Sequence, residues 1–597
     1  MCAKKFILID HSLEKVGGHN YEYAVHIGQA AEKSGRDVVL AVHRHFREQE
    51  KVPQNWLVYP LYPFNSFNNR YSLYKSGQLW SPAPPVNLQG IPRRLYYAWR
   101  CYRGTQLLKQ FEQACDQLFR QVSLVEGDIV FVPTLSEFDL LGLVQYLRNS
   151  PQSRKAVWLL QFHFDLFQGR TPEYRDQKQK FQALREFFLK AFSELADHRV
   201  VLLSPTKPMA DQYNRLGLAT FHELAYPVSS AFCPTSIAMQ SKQPVSIVLA
   251  GHFRREKGRH LLGQTLKHIW RDTLSVGRAQ LMIQGRASRI RSWLPQSLRS
   301  KVSSNRANPK KSSKPVVAVR HPLPPEDYVE YIRQAGIGLF LYDNRRYFAR
   351  CSGVLVEMLA SGVPVIVPAG CWLAEQVAEA IYEHQDGLLN QLSLIGRTAS
   401  SSLVLSGSDR PATVELPIPP DATGLLVRFR CQSPWPDGTY VRITSHVSGS
   451  TIESQRLTNI VGNRVDRERV PVWVPLASGS RHIQLRWSNA YHHGRIVCCD
   501  VQFCFLGKDA TSSAHTPWGA VGLIAAEPED TPLLIDEMLN HYDHYRKTAV
   551  QFASVWQQKH SVRHVFQDLL SWTEALPPLG EQLQCNTQSG MPQRKSA

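Results

Sequence analysis

A chain of 597 residues with 43% hydrophobic and 20% charged content has room for three or more domains and a large core, which excludes a fibrous or disordered polymer. Its formal charge of +19 favours anionic partners: phosphorylated donors, anionic lipid headgroups or nucleic acid. Eleven cysteines without CxxC spacing, behind a Met1-Cys-Ala-Lys-Lys5 start that leads straight into a strand, fit reduced cytoplasmic thiols and no zinc quartet; no apolar run reaches the roughly 18 residues of a membrane helix.

The first strand, Phe6–Ile9, is followed by Lys15-Val-Gly-Gly-His-Asn20, a helix from about Tyr21 to Ser34 and a strand Val38–Val42, a complete βαβ opening. Gly17 and Gly18 let backbone approach a ligand, or form a simple turn. From 44 to 105 the periodicity gives way to Pro, Tyr, Trp and Asn, the pattern of a long loop insertion that is either an acceptor-side flap or a plain surface insertion. A basic aromatic helix then runs from Pro92 through Arg103 toward Val122. It suits an anionic membrane surface, or a core-facing helix with a solvated basic side. Further strands are expected at Asp128–Val132, Ala156–Leu160 and Val200–Leu203. His163, just past the carboxyl end of a sheet strand, is placed for ligand contact or is an ordinary structural histidine.

A linker around Tyr226–Pro234 precedes a second βα series that begins with Val245–Gly251. The turn His252-Phe-Arg-Arg-Glu-Lys-Gly258 gathers His252, Arg254, Arg255 and Lys257 beside a strand-end glycine. Such a turn is a phosphate clamp in which charged hydrogen bonds contribute about 1.5–3 kcal/mol each, or else a solvated basic turn. Gln280–Gly285 supplies another strand ending in glycine. Residues 298–320 carry seven Lys or Arg and no acid, and read as a flexible solvated loop without the aromatic interleaving of a nucleic-acid site.

Ile337–Tyr342 and Val363–Val367 are too continuous for half-exposed strands and too short for helices, so both are buried parallel strands. The helix between them is capped by Ser352 and stops at Ser361-Gly362. Glu357 shares a face with Gly353, Ala360 and Ser361, while Ser352, Gly353 and Val354 offer free amides and a partial positive charge where parallel sheets bind phosphates, or else this is an ordinary βαβ unit with a surface Glu and a Gly chosen for close packing. From about Asn390 to Leu506, short alternating runs broken by turn residues indicate an antiparallel β-sandwich, after which Val521–Ala525 and a helix from about Thr531 restore the α/β pattern. Most sandwich aromatics are core residues on this pattern; Trp487 to Tyr491 with His492-His493 is the first place for a sugar-stacking surface.

The 337–370 unit resembles the donor-binding segment of family-four (group 1) glycosyltransferases of the GT-B fold, in which an acidic loop residue and a helix Glu eight positions later flank the nucleotide sugar. Glu357 falls at the second position, and Ala360-Ser-Gly-Val-Pro-Val365 matches the family's exit into the next strand. The first acid is replaced by Ala349; the loop offers Tyr347, Arg350 and Ser352 instead, with Asp343 the nearest carboxylate. The turn 252–258 is similar to the family's Gly-Arg…Glu-Lys-Gly signature, matched by Lys257 and Gly258, with His252 at the Arg position so that Arg254 or Arg255 would supply that charge. Gly17-Gly18 resembles the family's cleft-side loop, His163 its sugar-facing His and Gly285 its nucleotide-facing glycine. The resemblance covers roughly 4–43, 126–383 and 517–572.

That resemblance implies an α/β protein of two Rossmann-like doubly wound domains with an inserted antiparallel β-sandwich: 1–234, an acceptor-side domain; 235–384, the donor domain; 385–515, the sandwich; 516–574, the closing part of the donor domain with the final helices; and 575–597, a disordered tail. It implies transfer of a sugar from a nucleotide-diphosphate sugar to a glycan, lipid-linked saccharide or similar acceptor, with retention. His163 and Glu357 would stand at the reacting sugar and the ribose. Gly17, Gly18, His252, Arg254, Arg255, Lys257, Gly285, Arg350, Ser352, Gly353 and Val354 would hold the donor. No metal or other cofactor and no nucleic acid is implied; the location is cytoplasmic, and the basic aromatic helix leaves peripheral contact to an anionic membrane open beside it. Ala349 leaves a non-catalytic glycan- or nucleotide-sugar-binding scaffold as one rival, and the charge of +19 leaves a nucleic-acid-binding protein as another.

Overall fold

The computed structural model describes residues 4–17, 19–82, 89–167, 174–234, 244–304, 314–368, 371–378, 380, 394–400, 403–405, 411–432, 439–448, 457–463, 470–476, 479–489, 496–507, 521–525 and 528–583. The chain divides into two compact units, one from within 1–167, 172–229 and 559–597, the other from within 230–558.

In the first unit, runs of β-branched and aromatic residues form β1 (Lys5–Asp10), β2 (Asp37–His43), β3 (Leu57–Tyr62), β4 (Ile129–Leu135), β5 (Val157–Phe162), β6 (Arg199–Ser204) and β7 (Phe221–Glu223). They make one parallel sheet in the order β3-β2-β1-β4-β5-β6-β7, the Rossmann-like winding expected. The 44–105 stretch is not a loop. Leu57–Tyr62 adds an edge strand parallel to β2, and Phe46, Tyr62 and Phe64 are buried, so the aromatics that obscured strand alternation fill core. The helix Val562–Ser571, among the final helices expected to pack back across the two domains, places Val565, Phe566 and Leu569 in the core of this first unit. Part of the expected disordered tail is ordered as well: Leu579 is buried and its amide donates to the His198 carbonyl at 2.8 Å, while 584–597 lie outside the described residues.

The second unit carries β8 (Val245–Leu249), β9 (Ala279–Gln284), β10 (Val302–Ser304), β11 (Val316–Val319), β12 (Ile337–Leu339) and β13 (Val365–Pro368). After them come β14 (Leu394–Ser400), β15 (Leu403–Leu405), β16 (Ala412–Pro417), β17 (Gly424–Gln432), β18 (Thr439–Ser448), β19 (Leu457–Asn463), β20 (Val470–Pro475), β21 (His482–Asn489), β22 (Ile496–Leu506) and β23 (Gly522–Ala525). A second parallel sheet has the order β10-β11-β9-β8-β12-β13-β23. The expected basic loop at 298–320 thus contains two strands, and its 305–313 stretch lies outside the described residues. Because β13 pairs directly with β23, everything from β14 to β22 is an insertion between two adjacent strands of one sheet.

The inserted strands form two antiparallel sheets, β14-β22-β17-β20 with β15 on β22, and β16-β21-β18-β19. Leu425, Val427, Phe429 and Phe503 from one share a core with Ile443, Ile483, Leu485 and Trp487 from the other, the layered packing of a sandwich. Trp487 therefore does not present a sugar-stacking face: it is fully buried with its ring 4.8 Å from that of Phe429. Tyr491, His492 and His493 lie outside the described residues.

Candidate functional site

In the second sheet β12 lies between β8 and β13, so the turn after β8 and the loop and helix after β12 emerge side by side at one carboxyl edge. Two glycines make that crowding feasible. Gly251 (φ +80°) donates its amide to Gln284 Oε1 at 2.6 Å, and Gly258 (φ +83°) sits where a methyl group would come 1.8 Å from the Leu341 carbonyl oxygen. The Asp343 amide donates to the Glu256 carbonyl at 2.9 Å, fixing the basic turn to the loop beyond β12. The helix Gly353–Ala360 begins as expected, with the Ser352 hydroxyl accepting from the Leu355 amide. Its far end is held by Arg546, which donates to the Gly362 carbonyl at 2.8 Å, and by Gln557, which donates to the Ala360 carbonyl at 2.9 Å.

Lys257 occupies the junction of these pieces. It is 8% exposed, and its Nζ lies 5.0 Å from the centre of the Tyr342 ring. A methyl group at Gly251 would stand 3.0 Å from that Nζ and 3.6 Å from Val354 Cγ2, which places the ammonium beside the first turn of the helix. Among the described residues no carboxylate forms an ion pair with it. Burial pushes the Lys257 pKa down, Arg254 adds to that, and Tyr347, Glu256 and Glu357 pull the other way. The two tyrosines are themselves kept neutral, since burial raises both phenols above their ordinary value.

The remaining basic side chains converge on the same place. Burial lowers the pKa of His252, and Arg254, Lys257, Arg289 and Arg259 lower it further; its ring stacks on His321 with centroids 5.5 Å apart. Of the two candidate arginines, Arg254 acts on His252, Lys257, Tyr342 and Tyr347, and it pairs with Glu256 at 2.9 Å. Arg255 is exposed and enters none of these interactions. Arg289, His321 and Tyr342 were not singled out from the sequence; a cation three residues into the helix after Gly285-Arg286 was the one available signal.

Glu357 is buried on its helix, and Tyr328 of the helix Pro325–Arg333 donates its hydroxyl to Glu357 Oε2 at 2.5 Å. Tyr328 was missed because no sequence pattern links two helices separated by a strand. Ala349 is fully buried, and Asp343 turns its Oδ1 inward to accept from the Arg345 and Arg346 amides at 2.9 and 3.3 Å. Asp343 thus caps its own loop and does not replace the missing acid. Arg350 is half-buried at the end of that loop. At Gly285 a methyl group would meet only Ile290, at an ordinary 3.6 Å, so packing of the protein itself does not demand glycine there.

In the first unit Gly17 has φ +84°, and a methyl group added there would meet no atom within 4 Å, whereas Gly18 lies outside the described residues. His163 follows β5, is half-buried, donates its amide to the Leu135 carbonyl at 3.2 Å and packs edge-on to Phe67. Among the described residues no group of three or more His, Cys, Asp or Glu side chains is arranged to hold a metal ion.

No protein-family model matches the sequence, and no curated protein matches it. Solved structures do align. A sucrose-phosphate synthase from Thermosynechococcus elongatus is 15% identical, with 63% of this chain and 84% of that one covered at a TM-score of 0.37. The N-terminal domain of a trehalose-6-phosphate phosphatase from Candida albicans is 13% identical, covering 63% and 85% at 0.41. An α,α-trehalose 6-phosphate synthase from Burkholderia multivorans is 10% identical, covering 62% and 84% at 0.38. Likeness at this level carries no inference about activity.

Proposed function

We propose that the chain is a glycosyltransferase using a nucleotide-diphosphate sugar, with the donor diphosphate held at the carboxyl edge of the second sheet. One observation carries the reading: Lys257 is buried beside the amino end of a helix with no carboxylate ion pair among the described residues, so the site is electrostatically incomplete until an anion arrives. Arg254 extends the positive charge outward, beside His252, whose neutral imidazole is favoured by burial and by the neighbouring cations. These groups would neutralise the charge that grows on the departing diphosphate, and so perform without a metal the electrostatic part of catalysis. Glu357, held by Tyr328, accepts the ribose hydroxyls. The resemblance assigns His163 to the sugar, retention to the stereochemistry, a glycan or lipid-linked saccharide to the acceptor and the cytoplasm to the location.

A second reading, nucleotide-sugar binding without transfer, is favoured by Ala349 and by the commitment of Asp343 to its own loop. Isothermal titration with uridine, guanosine and thymidine diphosphate sugars, followed by transfer and hydrolysis assays with the donor that binds, separates the two. One donor class is expected to bind, and Glu357→Ala to weaken it by about 1.5–3 kcal/mol. Binding without turnover leaves the second reading; absence of binding by all three classes removes both.

A further inference from the structure

The helix Ile91–Gln121 is two helices in one. Its carboxyl-terminal part buries Gly104, Leu108, Phe111, Cys115 and Leu118 in the first unit. Its amino-terminal turns do the reverse: Ile91 is 74% exposed, Leu95 65%, Tyr96 62%, Trp99 56% and Tyr102 62%. Among the described residues these are five of the eleven large apolar side chains left most exposed, all inside twelve residues, so the exposure is a local feature and not the scattered kind every surface shows.

Geometry makes them one surface. At 3.6 residues per turn Ile91, Leu95, Trp99 and Tyr102 fall within about 80° of one another, a stripe roughly 17 Å long on the side opposite the buried residues. Arg94 and Arg103 flank it on either side, and no acidic residue occurs from 91 to 111. The underside is fastened: Tyr97 donates its hydroxyl to the Ser81 carbonyl at 2.9 Å, and Gly104 admits Trp80, whose Nε1 would lie 2.6 Å from a methyl group there. Arg100 rests over the Tyr71 ring at 5.8 Å. The stripe is therefore presented outward by a fixed helix.

We propose that this face docks on an anionic lipid surface. Aliphatic Ile91 and Leu95 enter the boundary between headgroups and chains, the Trp99 and Tyr102 rings sit at headgroup level, and Arg94 and Arg103 meet the lipid phosphates. Charge complementarity selects this occupant, since an apolar stripe with an arginine on each flank and no acid from 91 to 111 matches a surface that is apolar inside and negative at its rim. No helix among the described residues is long and apolar enough to cross a membrane, so the contact is peripheral.

The test is sedimentation of the full chain with vesicles of phosphatidylcholine alone and with about one-third phosphatidylglycerol. The chain partitions onto the anionic vesicles and leaves them as salt is raised. Leu95→Ser with Trp99→Ser, and separately Arg94→Glu with Arg103→Glu, each reduce partition by about tenfold or more, with unchanged circular-dichroism melting because all four side chains are exposed. Lysine at the two arginine positions retains it. No partition, equal partition onto neutral vesicles, or unaltered partition of both multiple variants overturns the proposal. So does a single-stranded oligonucleotide that binds through Trp99 and displaces the vesicles, which would make the face a nucleic-acid site.

Discussion

The two parallel sheets share a winding but treat the polar groups at their carboxyl edges in opposite ways. At the first, Asp10 accepts from the Thr134 hydroxyl at 2.9 Å, and Asp139 is surrounded by His11 at 3.3 Å, the Ser66 hydroxyl, the Ser136 amide at 3.0 Å and the Ser136 hydroxyl at 2.7 Å. Each buried charge there has partners inside the protein. At the second, a buried ammonium is set against a helix amino end, further cations and two neutral phenols. A closed network is architecture, whereas an unbalanced one is a binding site awaiting its counter-ion.

The sharpest way to break this contrast is Asp139→Ala. It strands His11, Ser66 and the Ser136 amide in the core, and urea unfolding is expected to show the first unit destabilised by about 3–5 kcal/mol. Lys257→Met should behave in the opposite sense. Removing a buried charge that has no ion pair is expected to leave the melting temperature unchanged or raised by up to about 3 °C, while nucleotide-sugar affinity falls by about 1.5–3 kcal/mol. A fall in melting temperature comparable to that of Asp139→Ala would make Lys257 architectural too.

The smallest expected effect concerns a carboxyl of the first edge whose charged form burial disfavours. Glu137 accepts from the Leu73 amide, but burial raises its pKa from 4.5 to about 7. The folded state therefore keeps a proton that the unfolded chain releases between those values. The stability this group contributes is fully present below about pH 4.5 and is lost as pH rises through about 7, on the order of 1–3 kcal/mol in all. Glu137→Gln should flatten that decline in melting temperature across pH 5–8; an unchanged slope would assign it to another group.

How much of this was legible in the sequence depends on the range of the interaction. The helix from Ser352 to Gly362, the basic turn and the inserted sandwich announce themselves through caps, local charge and strand-length runs, all signals spanning fewer than about fifteen residues. The edge strand Leu57–Tyr62 was hidden because Pro60 and two tyrosines break alternation, and only tertiary packing makes Tyr62 core. The Tyr328–Glu357 bond, the His252–His321 stack and the return of Val562–Ser571 to the first core join residues distant in sequence, for which one chain without an alignment holds no signal.

The direct pairing of β13 with β23 has a consequence for how the protein is put together. A crossover between parallel neighbours requires only about a dozen residues, usually with a helix, and the helical turns at 372–378 already occupy that route. The sandwich is thus a guest in a connection the host could complete alone. Excising it and splicing a short linker after 378 should leave a folded host sheet, and any property lost by that surgery would belong to the guest.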